Sequence, residues 1–100
     1  MQSNSFQALQ QWYLAQCDGE WEHSYGVHIA TLDNPGWLIK IDLHGTALAD
    51  VLFHSVAREH ESDWFNCRRT DTQFVAAGGP LMLDELLAIF IRWASDANAR

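Results

Sequence analysis

One hundred residues, 48% of them hydrophobic, can bury one core and are too apolar for a disordered chain. Thirteen acids against six bases leave a formal net charge of −7, which sets the surface against nucleic acid and anionic membrane and favours a basic protein as partner. The longest apolar run lies in the last twenty residues, and Asp84, Glu85 and Arg92 interrupt it. It therefore falls short of the roughly 20 uninterrupted apolar residues that a membrane span needs.

The N-terminal stretch MQSNSFQALQQ has no basic start and no apolar segment, which predicts no secretory signal and a cytoplasmic protein. Ser3, Asn4 and Ser5 offer helix N-caps. Behind them Phe6, Leu9, Tyr13 and Cys17 recur at helical spacing, so a helix is predicted over Ser5 to Gln16, closed by Asp18-Gly19. Glu20 to Gly26 reads as a polar and aromatic connection. Val27, Ile29 and Thr31 then alternate with His28 and Ala30 as in a strand. Asp33-Asn34-Pro35-Gly36 is a turn. Trp37, Ile39, Ile41 and Leu43 alternate with Leu38, Lys40, Asp42 and His44 in a second, half-buried strand, which makes an antiparallel hairpin.

Gly45 to Asp50 reads as a loop, Phe53 to Glu59 as a third strand, His60 to Asp63 as a turn and Trp64 to Arg69 as a fourth strand. Thr70-Asp71-Thr72 turns into Gln73 to Ala77, a candidate fifth strand, and Gly78-Gly79-Pro80 breaks the sheet. Leu83, Leu86, Leu87, Phe90, Trp93 and Ala94 then form a helical stripe, with Asp84 and Glu85 in the first turn where the dipole favours acids. The expected architecture is a single α+β domain over residues 1–100. It is an antiparallel meander of four to five strands, with the N-terminal and C-terminal helices packed on one face. Trp37, Ile39, Ile41 and Leu43 should face Leu86, Leu87, Phe90 and Trp93 in its core.

The charge is unevenly spread. No Lys or Arg precedes Lys40, and the first fifty residues carry six acids against that one base. The densest segment runs from Cys17 to Gly26 and holds three carboxylates, a thiol, an imidazole and two aromatic rings. Glu22, His23 and His28 match no metal-ligand spacing such as H-E-x-x-H, so no metal is expected. A nucleophilic Cys17–His23 pair would need an orienting group and an oxyanion hole that the sequence does not display, so no catalytic residue and no cofactor are assigned. An enzyme or metal protein built on Cys17, His23 and His28 is thus the weaker alternative, together with a homodimeric adaptor. The recognition reading assigns partner binding to Asp18, Glu20, Trp21, Glu22, His23, Asp33 and Asp42. Aromatic rings would act as anchors and carboxylates would steer a basic partner. In the opposing reading the rings wedge the first helix against the sheet and the acids are merely solvated. The two cysteines, Cys17 and Cys67, form no C-x-x-C pair and are expected as reduced thiols.

Leu9-Gln10-Gln11-Trp12-Tyr13, the run Cys17 to Gly26, and Thr31-Leu32-Asp33-Asn34-Pro35-Gly36-Trp37 resemble the immunity protein 53 family of bacterial polymorphic toxin systems. Asp63-Trp64-Phe65-Asn66-Cys67 and Gly78-Gly79-Pro80 with Leu83 to Trp93 fit as well, whereas Gly45 to Ser62 matches only loosely. The resemblance implies a protein that binds and neutralises a cognate toxin, and it supplies no catalytic residue. The toxin would be a protein partner, with a basic nuclease the kind that the acidic charge suits, and the chain itself a monomer or weak homodimer.

Overall fold

The computed structural model describes residues 4–61 and 63–98. In chain order the elements are α1 (Ser5–Gln16), α2 (Trp21–Ser24), β1 (Val27–Leu32), β2 (Gly36–Asp42), β3 (Val56–Arg58), β4 (Phe65–Arg69), β5 (Gln73–Gly78) and α3 (Leu83–Asn98). Asn4 caps α1, its Oδ1 accepting from the Gln7 amide at 3.1 Å. Ser3 lies outside the described residues. The helix stops at Gln16, where Cys17 turns extended and its amide donates to the Leu14 carbonyl; Gly19, in the loop that follows, takes a left-handed φ of 95° that glycine adopts without strain. Glu20 to Gly26, expected as plain connection, contains the single turn α2.

Every strand pairing is antiparallel, and the strand order is β1-β2-β5-β4-β3. The α+β architecture with five strands is as expected, but chain order and spatial order part at one step: β2 lies beside β5 instead of β3. Burial explains the exchange. In β5, Phe74, Val75 and Ala76 are all buried, which suits a central strand with a neighbour on either edge. All three residues of β3 are exposed, which suits a short edge. The third strand is also shorter than the expected Phe53 to Glu59. Phe53 leaves the ladder to pack edge-on against Phe74 and Trp93, at 5.4 and 5.1 Å between ring centres.

The core lies on one face of the sheet. Ile39, Ile41, Leu43, Cys67, Phe74 and Ala76 meet Leu9 of α1 and Leu86, Leu87, Phe90 and Ala94 of α3. Phe90 joins three elements, its ring 5.1 Å from Phe74 and 5.0 Å from Trp12. Both long helices therefore sit on the same side. Ile39, Ile41 and Leu43 are fully buried as expected, and so are Leu86, Leu87 and Phe90. Trp37 and Trp93 are only half-buried, because each turns its Nε1 to a carbonyl at the rim. Trp37 donates to Pro80 at 2.9 Å and Trp93 to Leu52 at 2.9 Å. Near the hairpin turn the backbones close up: a Cβ on Gly36 would stand 2.5 Å from the Gly78 carbonyl oxygen, so a side chain there would displace β5.

The irregular stretch between β2 and β3 is held by Arg69. Its Nη1 donates to the carbonyls of Leu48 and Val51, and its Nη2 to that of Ala49, at 2.6–2.9 Å. Truncating the junction residue with Phe90→Ala should cost about 3–5 kcal/mol. Against a total of about 5–15 kcal/mol for a domain, that is close to unfolding. Urea denaturation of the variant measures it, and a loss below about 1 kcal/mol would show that the ring does not join the layers as described.

Candidate partner-binding surface

The Cys17 to Gly26 segment is a clasp of reciprocal hydrogen bonds. The Asp18 carboxylate accepts from the amides of Glu20 and Trp21, both at 2.9 Å. The Glu22 carboxylate accepts in return from the amides of Asp18 at 3.0 Å and Gly19 at 2.9 Å. Asp18 thus satisfies two amides at the start of α2, and Glu22 two in the loop before it. Both carboxyls are held below the ordinary range. For Asp18 the cause is the Trp21 amide, then that of Glu20. For Glu22 it is its own amide, with those of Asp18 and Gly19.

Trp21 is buried, and its Nε1 donates to the His44 carbonyl at 2.7 Å. It is a wedge, not an exposed anchor. Trp12, Tyr13 and Tyr25 surround it at 6.0–6.3 Å between ring centres, and Tyr25 lies 4.9 Å from the His44 ring. Asp42 belongs to the same end of the sheet. Its Oδ2 accepts from the Gly26 amide at 2.9 Å and its Oδ1 from Gln73 Nε2 at 3.0 Å. Glu20 and His23 are exposed, and among the described residues their side chains have no hydrogen-bond partner. Asp33 is not brought into this group. It sits in the hairpin turn at the far end of β1, a six-residue strand about 20 Å long.

Of the residues weighed for chemistry, Cys17 directs its Sγ to the Tyr13 carbonyl at 3.4 Å and not to an imidazole. His23 and His28 are exposed. No trio of His, Cys, Asp or Glu among the described residues is arranged to hold a metal ion, and no described helix is long and apolar enough to cross a membrane.

One surface feature had no signal in the sequence. A groove of about 480 Å³ runs between α3 and the β3 edge, floored by Phe53, Val56, Phe65, Ile89 and Trp93 and flanked by the exposed Leu52. It lies beside β3, which spans only Val56–Arg58 where the sequence suggested a strand over Phe53 to Glu59.

The family described as Immunity protein 53 matches residues 6–95, nearly the whole chain. No curated protein and no solved structure matches it.

The clasp can be read by NMR titration. The Asp18 and Gly19 amide shifts should follow Glu22, and those of Glu20 and Trp21 should follow Asp18, with midpoints below the ordinary carboxyl value of about 4. Because the folded pKa values are depressed, the clasp stabilises the fold above the unfolded pKa and loosens as pH falls through the folded one. Midpoints at or above the ordinary value would refute the geometry. The thiols should also differ. Both are free; Cys17 is partly exposed, whereas burial pushes the Cys67 thiol up to about 12. Native alkylation should label Cys17 alone, with Cys67 reacting only after unfolding, as mass spectrometry would show.

Proposed function

This chain belongs to the immunity protein 53 family, and on that premise we propose that it binds a cognate bacterial toxin domain in the cytoplasm and silences it by contact, without catalysis or cofactor. The observation that carries the role is the family match over residues 6–95. The surface we assign to it is the clasped loop, with Asp18, Glu20, Glu22 and His23 next to the buried Trp21 in sequence and Asp42 at the same end of the sheet.

Two physical arguments support that surface. The clasp is organised before binding, so presenting Glu20 and His23 costs little further entropy. It also places acids on a stretch that has no Lys or Arg before Lys40, so a cationic partner is drawn to it. A nuclease toxin is the partner this charge suits best, because phosphate binding requires a basic surface. Asp18 and Glu22 have a double duty, since the bonds that shape the loop also keep them ionised.

The test uses the toxin domain encoded beside this chain, purified and followed by binding kinetics at two salt concentrations. Glu20 is the residue to reverse, because its side chain makes no bond within the clasp, whereas Glu22→Lys would break the loop as well as the charge. Glu20→Lys should slow association and weaken its salt dependence with the fold intact. Asp33→Lys, at the far end of the hairpin, should change association much less. If a toxin cation desolvates Glu20 fully, the loss should reach about 2–5 kcal/mol and appear in the off-rate. Rates that Glu20→Lys leaves unchanged at both salt concentrations would overturn the assigned surface.

A further inference from the structure

The sheet face opposite the helices carries the reverse charge. Phe74 packs against Phe90 on the helix side, so the residues of alternate parity point the other way. The register places His28, Lys40, Val75 and Arg68 in one row across β1, β2, β5 and β4. The next row holds Ala30, Leu38, Ala77 and Asn66. No described helix covers these rows. Leu38 and Ala77 are half-buried, and Val75 is 8% exposed with Lys40 and Arg68 on either side of it. Long basic stems lying over an apolar centre produce that burial.

The two cations are unspent. In a chain with more than twice as many acids as bases, Arg58 pairs with Asp63 at 3.3 Å and Arg69 is bonded to loop carbonyls. Lys40 and Arg68 have no ion pair and no side-chain hydrogen bond among the described residues, and both are exposed. The acid on their own face, Asp42, gives its two oxygens to Gly26 and Gln73. Two strand spacings separate Lys40 from Arg68, about 10 Å at the backbone.

We propose that this open sheet face is a second docking surface, with Val75 at its centre, and that its occupant is a protein surface bearing carboxylates on either side of an apolar residue. Lys40 and Arg68 each receive one carboxylate, and Leu38, Val75 and Ala77 receive the apolar contact. The charge excludes a basic occupant here, as it favours one at the clasp. The arrangement goes beyond the toxin-binding reading and does not rest on it.

The probe is a short peptide with Glu, Leu and Glu at alternate positions and Ser between them, added to the whole chain and followed by heteronuclear NMR. The expected result is movement of the amides of residues 38–40, 66–68 and 75–77. The double variant Lys40→Gln, Arg68→Gln should weaken that binding about tenfold, the sum expected of two surface ion pairs, while the spectrum stays folded. Lys40→Arg should retain it. The same peptide with Lys in place of Glu should not move these amides. Equal binding of the Lys peptide would overturn the proposal by showing contact through apolar residues alone. So would tighter binding of a short single-stranded oligodeoxynucleotide, which would make the face a phosphate site, or an absence of movement at these amides.

Discussion

Strand β2 has to find β5 across the chain, Asp42 meeting Gln73 from 31 residues away. On either side of that seam the contacts are local: β1 with β2 through a tight turn, and β3, β4 and β5 in succession. The seam aligns Ile39 with Ala76 and Ile41 with Phe74, and these side chains form the floor on which α3 lies. A slip of β2 by one residue would send Ile39 and Ile41 to the open face and Leu38 and Lys40 inward, burying a lysine. Register, core and the charge of both faces are therefore one constraint. Ridge-to-floor packing of Phe90 on Phe74 enforces it from above, and the close approach of Gly36 to Gly78 enforces it at the edge.

Much of this was legible in the residues themselves. The hairpin, the final helix and the buried faces of both follow from periodicity, because Ile39, Ile41, Leu43 and the stripe from Leu86 to Ala94 have few other ways to hide. The position of β3 was not legible. Periodicity reports which side of a strand is apolar, not which strand lies next to it, and the choice between β3 and β5 as neighbour of β2 depends on burial of both faces at once. The half-burial of Trp37 and Trp93 was missed for a related reason. Apolar spacing counts an indole as core, while its N–H needs an acceptor and draws the ring toward a carbonyl at the rim. Phe53 reads as a strand residue in sequence because residue type alone does not distinguish a ladder residue from an aromatic that folds back onto the core.

The acidic segment after α1 shows why a site is harder to read than a fold. Composition marked Asp18, Glu20 and Glu22 as equivalent carboxylates, and the geometry separates them. Asp18 and Glu22 bind the backbone of their own loop, while Glu20 faces outward. Trp21, which the sequence offered either as an anchor for a partner or as a wedge under the first helix, is the buried post beside which the loop is wound. Side chains two and four residues apart look alike in a string of letters and diverge once a single helical turn intervenes. The Arg68-Arg69 pair makes the same point on β4. Adjacent strand residues point to opposite faces, so one cation meets solvent and the other gathers loop carbonyls.

The strand order gives the molecule an unusual divisibility. At the exposed Ala47, between β2 and β3, the chain passes from one locally paired unit to the other. The bond from Trp21 to the His44 carbonyl lies before this point, and those from Arg69 to Leu48, Ala49 and Val51 lie after it. Severed there, the protein becomes two pieces, α1–α2–β1–β2 and β3–β4–β5–α3, each with one long helix and one antiparallel unit. Each piece is left with an open strand edge and half of a hydrophobic layer, and the matching edge and layer are on the other piece. The single chain thus has the anatomy of two subunits joined by a tether, which makes the stretch around Ala47 the natural seam for a split form whose halves regain the fold by meeting.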